Sequence, residues 1–314
     1  MEYLNVGRSG LQVSVSGLGC NNFGMRIDQE QSTAVVNRAL ELGVTLFDTA
    51  DIYGGTRSEE FLGAALGERR KDVVVATKFV GPVGDGPLNR GASRAHVFRA
   101  VEGSLRRLGT DYIDLYQIHF PDMTTPIEET LGALDDVVRQ GKVRYIGCSN
   151  FAGWQVVEAQ WVTRTQHLSP LISAQNEYNL LDRRIERELV PACNEYGLGV
   201  LPYFPLASGF LSGKYRHGEK PPEGTRIAAW GARGAEILSD RNFAILSGLE
   251  AFAQARDKTV LDVAIGWLAS QPHVPSVIAG ATKPEQVEQN VTAAAWRLSA
   301  EEMSEVDGIT KRQD

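Results

Sequence analysis

The chain contains 314 residues, of which 43% are hydrophobic and 23% charged, a composition typical of a globular protein with a large core. Its formal net charge of −7, without a long run of Lys and Arg, argues against nucleic acid as a partner. No stretch approaches the roughly 20 apolar residues that span a membrane, and MEYLNVGRSG lacks the features of a secretion signal, so we expect a cytoplasmic protein without a membrane partner.

Predicted strands and predicted helices alternate along the chain. A hairpin is predicted first, from Tyr3 to Val15, with its turn at Arg8-Ser9-Gly10. Eight apolar runs follow as strand candidates, in the order VSGLG from residue 15, VTLFD from 44, VVVATK from 73, YIDLYQIH from 112, VRYIGCS from 143, LISAQ from 171, GVLPY from 199 and VPSVIAG from 274. Strands so rich in apolar residues are typical of a parallel sheet that is buried on both faces.

The segments between these runs have the apolar spacing of helices, as in STAVVNRALELG, HVFRAVEGSLRRLG and IEETLGALDDVVRQG. Several end in a glycine shortly before the next strand, at Gly43, Gly109, Gly141 and Gly197. Eight βα repeats predict a (β/α)8 TIM barrel that forms one domain over residues 1–314. A long connection from Pro205 to about Ser239 interrupts the repeat, and an extra C-terminal helix is predicted from a capping box at Ser299.

Polar residues stand where the predicted strands end. In chain order they are Asp48, Tyr53, Lys78, His119, Ser149, Asn150, Gln175 and Tyr203. In barrels of this kind the carboxyl ends of all strands meet at one face, which carries the active site. We therefore expect these side chains to surround one mouth.

Four of these residues suit the delivery of a proton to an oxygen atom. A nearby ammonium group favours the anion of a tyrosine, so Lys78 is expected to lower the pKa of Tyr53. Asp48 can pair with Lys78 and offset the cost of burying its charge. His119 can donate a hydrogen bond to a carbonyl oxygen that lies between it and Tyr53.

Each of these residues also has a simpler explanation. An aspartate at a strand end is often a turn former, and a tyrosine beside two glycines can be surface packing. A lysine can be a solvated charge and a histidine a hydrogen-bonded core residue, but convergence at neighbouring strand ends favours one site. Hydrolysis and metal catalysis lack their motifs, and the scattered Cys20, Cys148 and Cys193 are expected to be reduced thiols.

Several short motifs occur in a fixed order along nearly the whole chain. They are DTADIYG from residue 48 with Ser58-Glu59 following, ATK from 76, QIHFPD from 117, GCSNF from 147, QNEYN from 175, YFPLASGFLSGKY from 203 and IAGATKPEQVEQN from 278. This set resembles the aldo-keto reductase family. Within the family it is most similar to the branch that includes the potassium-channel β subunits and bacterial relatives.

The resemblance implies a catalytic tetrad of Asp48, Tyr53, Lys78 and His119, in which Tyr53 is the general acid. It also implies a nicotinamide cofactor, and no Gly-x-Gly-x-x-Gly follows a strand to support a Rossmann mode of binding. The implied cofactor-binding residues are Asn21, Asp48, Ser149, Asn150, Gln175, Tyr203, Phe204, Leu206, Ser208, Lys214, Arg226, Gly280, Thr282, Gln286 and Asn290. Among them, side-chain amides and hydroxyls suit the carboxamide, and an aromatic face suits the nicotinamide ring.

The phosphates of the cofactor are expected where the eighth strand leads into the next helix. Thr282-Lys283-Pro284-Glu285 fits a capping box there, and helix N-termini bind anions. Lys214 and Arg226 match charged cofactor-binding positions of the family branch and are expected to close over the pyrophosphate. Many family members have Lys and Arg where this chain has Gly280 and Gln286, so the expected preference for NADPH over NADH depends on other cations.

The substrate is expected beside Tyr53, His119, Asn22 and Trp230, with residues 79–82 and Phe120 also near the mouth. The resemblance implies NADPH-dependent reduction of an aldehyde or ketone, with sugar-derived carbonyls among the candidates. Two alternatives stay open: an NAD-dependent dehydrogenase of a sugar or alcohol, and a cofactor-binding regulatory subunit that reports redox state. The sequence does not identify the substrate, and it leaves open whether the chain forms a homo-oligomer.

Overall fold

The computed structural model describes residues 1–311, and most of its strands form one parallel sheet. The strands are β1 (Tyr3–Asn5), β2 (Gln12–Ser14), β3 (Ser16–Gly19), β4 (Leu46–Asp48), β5 (Val74–Phe79), β6 (Ile113–Ile118), β7 (Val143–Ser149), β8 (Leu171–Glu177), β9 (Gly199–Tyr203) and β10 (Val277–Gly280). β1 and β2 pair as an antiparallel hairpin, and the other eight follow the order β10-β3-β4-β5-β6-β7-β8-β9. Since β10 also contacts β9, the sheet is nearly closed. The predicted (β/α)8 barrel and N-terminal hairpin are confirmed.

Helices surround this barrel. They are α1 (Gln29–Glu41), α2 (Arg57–Leu66), α3 (Arg94–Leu108), α4 (Ile127–Arg139), α5 (Gly153–Thr165), α6 (Leu189–Tyr196), α7 (Arg226–Ala229), α8 (Ala232–Ile237), α9 (Asp240–Gln254), α10 (Val260–Ala269), α11 (Pro284–Ala294) and α12 (Ala300–Thr310). Short 3-10 helices cover Gly67–Asp72, Pro87–Asn89, Arg184–Glu186 and Ala207–Ser212. No helix within residues 1–311 is both long enough and apolar enough to cross a membrane.

Helix ends follow the signals in the sequence in most places. The extra C-terminal helix, α12, begins with the predicted capping box, in which Ser299 accepts from the Glu302 amide and Glu302 accepts from the Ser299 amide. Gly109 and Gly197 end α3 and α6 in the left-handed conformation, with φ of 63° and 75°. These stops bring the chain directly into β6 and β9.

One local prediction was wrong. The predicted capping box at Thr282 does not form: α11 begins one residue later, because Pro284 has no N–H and favours the first helical position, and Lys283 then precedes the helix. The Thr282 amide instead donates to Gln286 Oε1 at 2.7 Å. The long connection after β9 contains a 3-10 helix, α7 and α8.

The barrel interior is apolar at its floor and polar at its mouth. A cluster inside the sheet contains Val6, Val13, Leu46, Ala76, Leu115, Ile172, Leu201 and Ile278. Val6 and Val13 belong to the N-terminal hairpin segment, which therefore covers the amino ends of the strands. Outside the sheet, a larger core packs the strands against the helices and includes all three cysteines, which are free and buried. Inside the barrel, polar side chains lie toward the carboxyl ends of the strands.

Candidate active site

A buried ion pair between neighbouring strands forms the floor of the mouth. Asp48 is the last residue of β4 and Lys78 lies near the end of β5, and Lys78 Nζ donates to Asp48 Oδ2 at 2.6 Å. Lys78 also donates to the Thr49 carbonyl at 2.8 Å. The other Asp48 oxygen accepts from Gln175 Nε2 at 2.8 Å and from Gln117 Nε2 at 3.3 Å. Both charges are thus paired and hydrogen-bonded, which is the condition for burying them.

Tyr53 lies directly against this pair. Its hydroxyl is 3.4 Å from Lys78 Nζ, and the ammonium lies 5.0 Å from the centre of the ring. The loop that carries Tyr53 turns at Gly54, where φ is 61° and a Cβ atom would lie 2.5 Å from the Phe23 carbonyl oxygen. Any larger residue would push this loop away from the wall. Glycine at this position therefore holds the phenol over the lysine.

The pKa of Tyr53 differs from the expectation. Burial of the phenol raises its pKa, and the Lys78 ammonium lowers it as expected but does not outweigh the burial, so the net pKa is raised. Burial likewise opposes the charge on Lys78, but Asp48 and Tyr53 together outweigh it, and the pKa of Lys78 is raised. Tyr53 is therefore protonated and Lys78 charged at neutral pH. A protonated phenol is the form that can donate a proton.

His119 follows β6 and faces Tyr53 across the mouth. The two rings meet edge to face with centroids 5.7 Å apart, and the imidazole also stacks on Phe120 at 4.2 Å. Burial lowers the pKa of His119 to about 3, with Lys78 adding to the effect, so the ring is neutral at physiological pH. Within residues 1–311, Nδ1 of this ring has no hydrogen-bond partner. A neutral imidazole can donate one hydrogen bond to an oxygen beside Tyr53 without adding charge.

The predicted amide and hydroxyl groups form a connected rim. Asn150 adopts a left-handed backbone with φ of 61°, and its Nδ2 donates to the His119 carbonyl at 2.9 Å. The Tyr203 hydroxyl donates to Asn150 Oδ1 at 2.7 Å, and the Ser149 hydroxyl donates to the Gln175 carbonyl at 2.8 Å. The ends of β6, β7, β8 and β9 are thus tied together around the mouth.

A cluster of cations lies further along the same opening. Arg226 and Lys214, from the long connection, were predicted there, and the structure adds Arg26 from the loop after β3. Arg26 donates to the Gly224 carbonyl and so links this loop to the long connection. Burial lowers the pKa of Lys214, and Arg26 and Arg226 lower it further. None of the three cations has an ion-pair partner within residues 1–311, so the cluster suits an anionic ligand.

One cavity of about 1010 Å³ joins the cation cluster to the mouth. Its lining includes every predicted cofactor-binding residue, together with Tyr53, His119 and Asn22. Trp230 and residues 79–82, which were predicted near the substrate, do not line it. Trp230 packs against Phe204 at the edge, with ring centroids 5.9 Å apart, and Phe79 points into the outer core, where it stacks on Tyr116 at 4.9 Å. Phe79 faces outward because it continues the β5 alternation by one residue beyond Lys78.

The residues of this cavity fit a nicotinamide dinucleotide. The unpaired cations at one end suit its phosphates, and the amide and hydroxyl groups beside the tetrad suit a carboxamide. At Gly280, an added Cβ would lie 3.3 Å from both Asn21 Oδ1 and Asn22 Nδ2, so a larger residue fits there only if these side chains shift. The roles of these residues in binding stay predictions.

A buried carboxyl group that was not among the predicted site residues lies beneath the site. Asp51 is fully buried in the loop after β4, and within residues 1–311 neither of its oxygens has a hydrogen-bond partner. Its backbone N–H donates to the Lys78 carbonyl at 3.1 Å. Burial raises the pKa of Asp51 from 3.8 to about 8, and Glu59 adds to this, while Arg107 and Lys78 oppose it. The Tyr116 hydroxyl is buried nearby, also without a partner in the described chain.

The raised pKa of Asp51 predicts how the free energy of unfolding changes with pH. Between pH 4 and pH 8 the folded chain holds a proton on Asp51 that the unfolded chain has lost, so the free energy of unfolding falls as pH rises. For one group the slope reaches at most about 1.4 kcal/mol per pH unit. We expect Asp51→Asn to flatten the decline seen in urea unfolding across this range. Asp111→Asn, at an exposed carboxylate, is the control, and an unchanged slope in Asp51→Asn would contradict the assignment.

Comparison with known proteins gives a consistent result. Residues 17–311 match the model of the Aldo/keto reductase family. A probable voltage-gated potassium channel subunit beta of Oryza sativa subsp. japonica is 40% identical over 93% of this chain and 91% of its own length. Its counterpart in Arabidopsis thaliana is 38% identical with the same coverage. The uncharacterized oxidoreductase YrpG of Bacillus subtilis (strain 168) is 38% identical over 96% of this chain and 93% of its own length.

Proposed function

Because the chain belongs to the aldo/keto reductase family, we propose that it reduces an aldehyde or ketone to an alcohol with NADPH, and that Tyr53 is the proton donor. The observation that carries this proposal is the contact of a protonated Tyr53 hydroxyl with the Lys78–Asp48 pair, opposite a neutral His119 and open to one long cavity.

When bound, the cofactor supplies a hydride to the carbonyl carbon. The protein residues act on the carbonyl oxygen. His119 donates a hydrogen bond that orients it, and the Tyr53 hydroxyl gives it a proton as negative charge develops. Lys78, with its nitrogen 3.4 Å from the phenol oxygen, stabilises the phenolate that remains on Tyr53. Asp48 keeps Lys78 charged and in place throughout.

The proposed preference for NADPH requires that at least one unpaired cation of the cavity binds the 2′-phosphate, the group that NADH lacks. A hydrogen bond between a charged group and a phosphate contributes about 1.5–3 kcal/mol, which corresponds to roughly ten- to hundredfold in affinity. We expect fluorescence titration to show NADPH binding at least about tenfold more tightly than NADH. Lys214→Met should lose about tenfold in NADPH affinity, whereas Lys220→Met, at an exposed lysine of the same connection, should change it less than twofold.

The outcome of this titration separates the proposal from its nearest alternative. Equal binding of the two cofactors, or a preference for NADH, would contradict the proposal and favour an NAD-dependent dehydrogenase of a sugar or alcohol. The activity itself is tested by following NADPH consumption with a panel of aldehydes, ketones and sugar-derived carbonyls. Substrate-dependent consumption that requires the folded protein is the expected result.

A regulatory subunit is the second candidate function. It is favoured by the similarity of the chain to two plant proteins described as probable voltage-gated potassium channel beta subunits. In that case NADPH binds with the predicted preference, but no carbonyl of the panel is reduced at a useful rate. The enzyme and regulatory proposals therefore differ in turnover and agree in cofactor affinity.

A further inference from the structure

The outer face of α5 carries a stripe of large apolar side chains. Trp154, Val157 and Trp161 are 51%, 38% and 65% exposed, and their spacing of three and four residues places them on one side of the helix. Met123 is 75% exposed beside the first turn, where its Sδ accepts from Gln155 Nε2 at 3.5 Å. The opposite side of α5 packs on the barrel. The side chains of the stripe are therefore not part of the packing between α5 and the barrel.

This concentration of exposed apolar side chains occurs in one place. Nine large hydrophobic side chains are exposed within residues 1–311; three lie on α5, and no other α-helix carries any. Monomeric proteins rarely expose large contiguous apolar patches, and tryptophan is enriched in the centres of protein interfaces. The stripe has the composition of an interface core.

The charges beside the stripe indicate what covers it. At 100° per residue, Glu158 lies about 60° to one side of Trp161, and Arg164 lies about 60° to the other side. Both side chains are exposed, and Glu158 has no ion-pair partner in the described part of the chain. The Arg164 guanidinium lies 4.6 Å from the centre of the Tyr196 ring, which fixes its position on the surface. An acid on one flank and a base on the other make this face complementary to itself.

We propose that the outer face of α5 is the contact surface of a homodimer, in which two copies of α5 pack in parallel about a two-fold axis. In this arrangement the Glu158 flank of one copy faces the Arg164 flank of the other. The two charges are then offset by six residues, about 9 Å along the helix, which these long side chains span. An antiparallel pairing would instead place like charges on the same flank. The two-fold axis makes the ion pair form twice.

The small area of this face limits the stability of the dimer. A helix of 13 residues is about 20 Å long, so its stripe supplies only part of the roughly 800 Å² per partner of a standard interface. The dimer is therefore a reversible one that dissociates on dilution. It does not depend on the proposed reductase activity.

Charge reversal tests this arrangement directly. In sedimentation velocity over a wide range of concentration, we expect the wild-type chain to dimerise at micromolar concentrations. Glu158→Arg and Arg164→Glu should each be monomeric, because each places like charges opposite one another in both pairs. Mixing these two variants in equal amounts should restore a dimer, since both pairs in the mixed dimer are again opposite in charge.

Three further variants complete the test. Trp161→Ser should be monomeric, and a chain that carries both charge reversals should dimerise like the wild type. Glu250→Arg, at an exposed position of α9, is the matched control and should dimerise normally. Thermal unfolding checks that every variant is folded. A wild-type chain that stays monomeric at high concentration overturns the proposal, and so does a mixture of the two reversals that fails to associate.

Discussion

Tyr53→Phe is expected to lower carbonyl reduction by about 100-fold to 10,000-fold, the range that one positioned general acid contributes. The change removes only the hydroxyl that lies 3.4 Å from Lys78 Nζ, so the cavity keeps its shape and its cations. Cofactor affinity should therefore stay within about twofold of the wild type. The measurement is single-turnover oxidation of bound NADPH after a carbonyl is added.

The control for the loss of activity in Tyr53→Phe is the same substitution at a second buried tyrosine. Tyr116 is fully buried, and within residues 1–311 its hydroxyl has no hydrogen-bond partner and does not line the cavity. Tyr116→Phe should leave the rate nearly unchanged. If Tyr53→Phe kept more than about a tenth of the wild-type rate, Tyr53 would not be the general acid.

Lys78→Met is expected to cost both activity and stability. It removes the partner of Asp48 and leaves a carboxylate that is only 3% exposed without its ion pair. Breaking a buried pair in this way costs about 3–5 kcal/mol, which urea unfolding would report as a lower midpoint. The reaction should fail as well, because the phenolate of Tyr53 has lost the charge that stabilises it.

A variant that removes the charges of both Lys78 and Asp48 separates the loss of activity from the loss of stability. In the double variant Lys78→Met with Asp48→Asn both charges of the pair are removed, and the oxygen of the new amide can still accept from Gln175. We expect the double variant to recover most of the lost stability and none of the lost activity. A double variant no more stable than Lys78→Met alone would show that the ion pair is not what the single change disrupts.

The sequence was sufficient for the fold and for the location of the mouth. Each strand was visible as an apolar run, and the parallel barrel follows from eight such runs alternating with helical patterns. Asp48, Lys78 and His119 could be brought together because the carboxyl ends of neighbouring parallel strands meet at one face. The motif order then supplied the family, which the comparison confirmed.

What the sequence did not predict depends on burial and on long-range contacts. The pKa of Tyr53 is raised because desolvation exceeds the effect of Lys78, and the extent of burial cannot be read from residue types. Arg26 was missed because nearly 200 residues separate it from Lys214 and Arg226, and its own loop has no periodic pattern. Asp51 looked like an ordinary loop carboxylate. Only the packing around it shows that its oxygens lack partners.

Asn150 connects two sides of the mouth through one side chain. Its amide nitrogen holds the backbone of His119, and its amide oxygen holds the hydroxyl of Tyr203. The position of the Tyr203 ring and that of the His119 backbone are therefore linked through the two ends of one amide group. For two ligands coupled through this link, thermodynamic reciprocity requires that each changes the affinity of the other by the same factor.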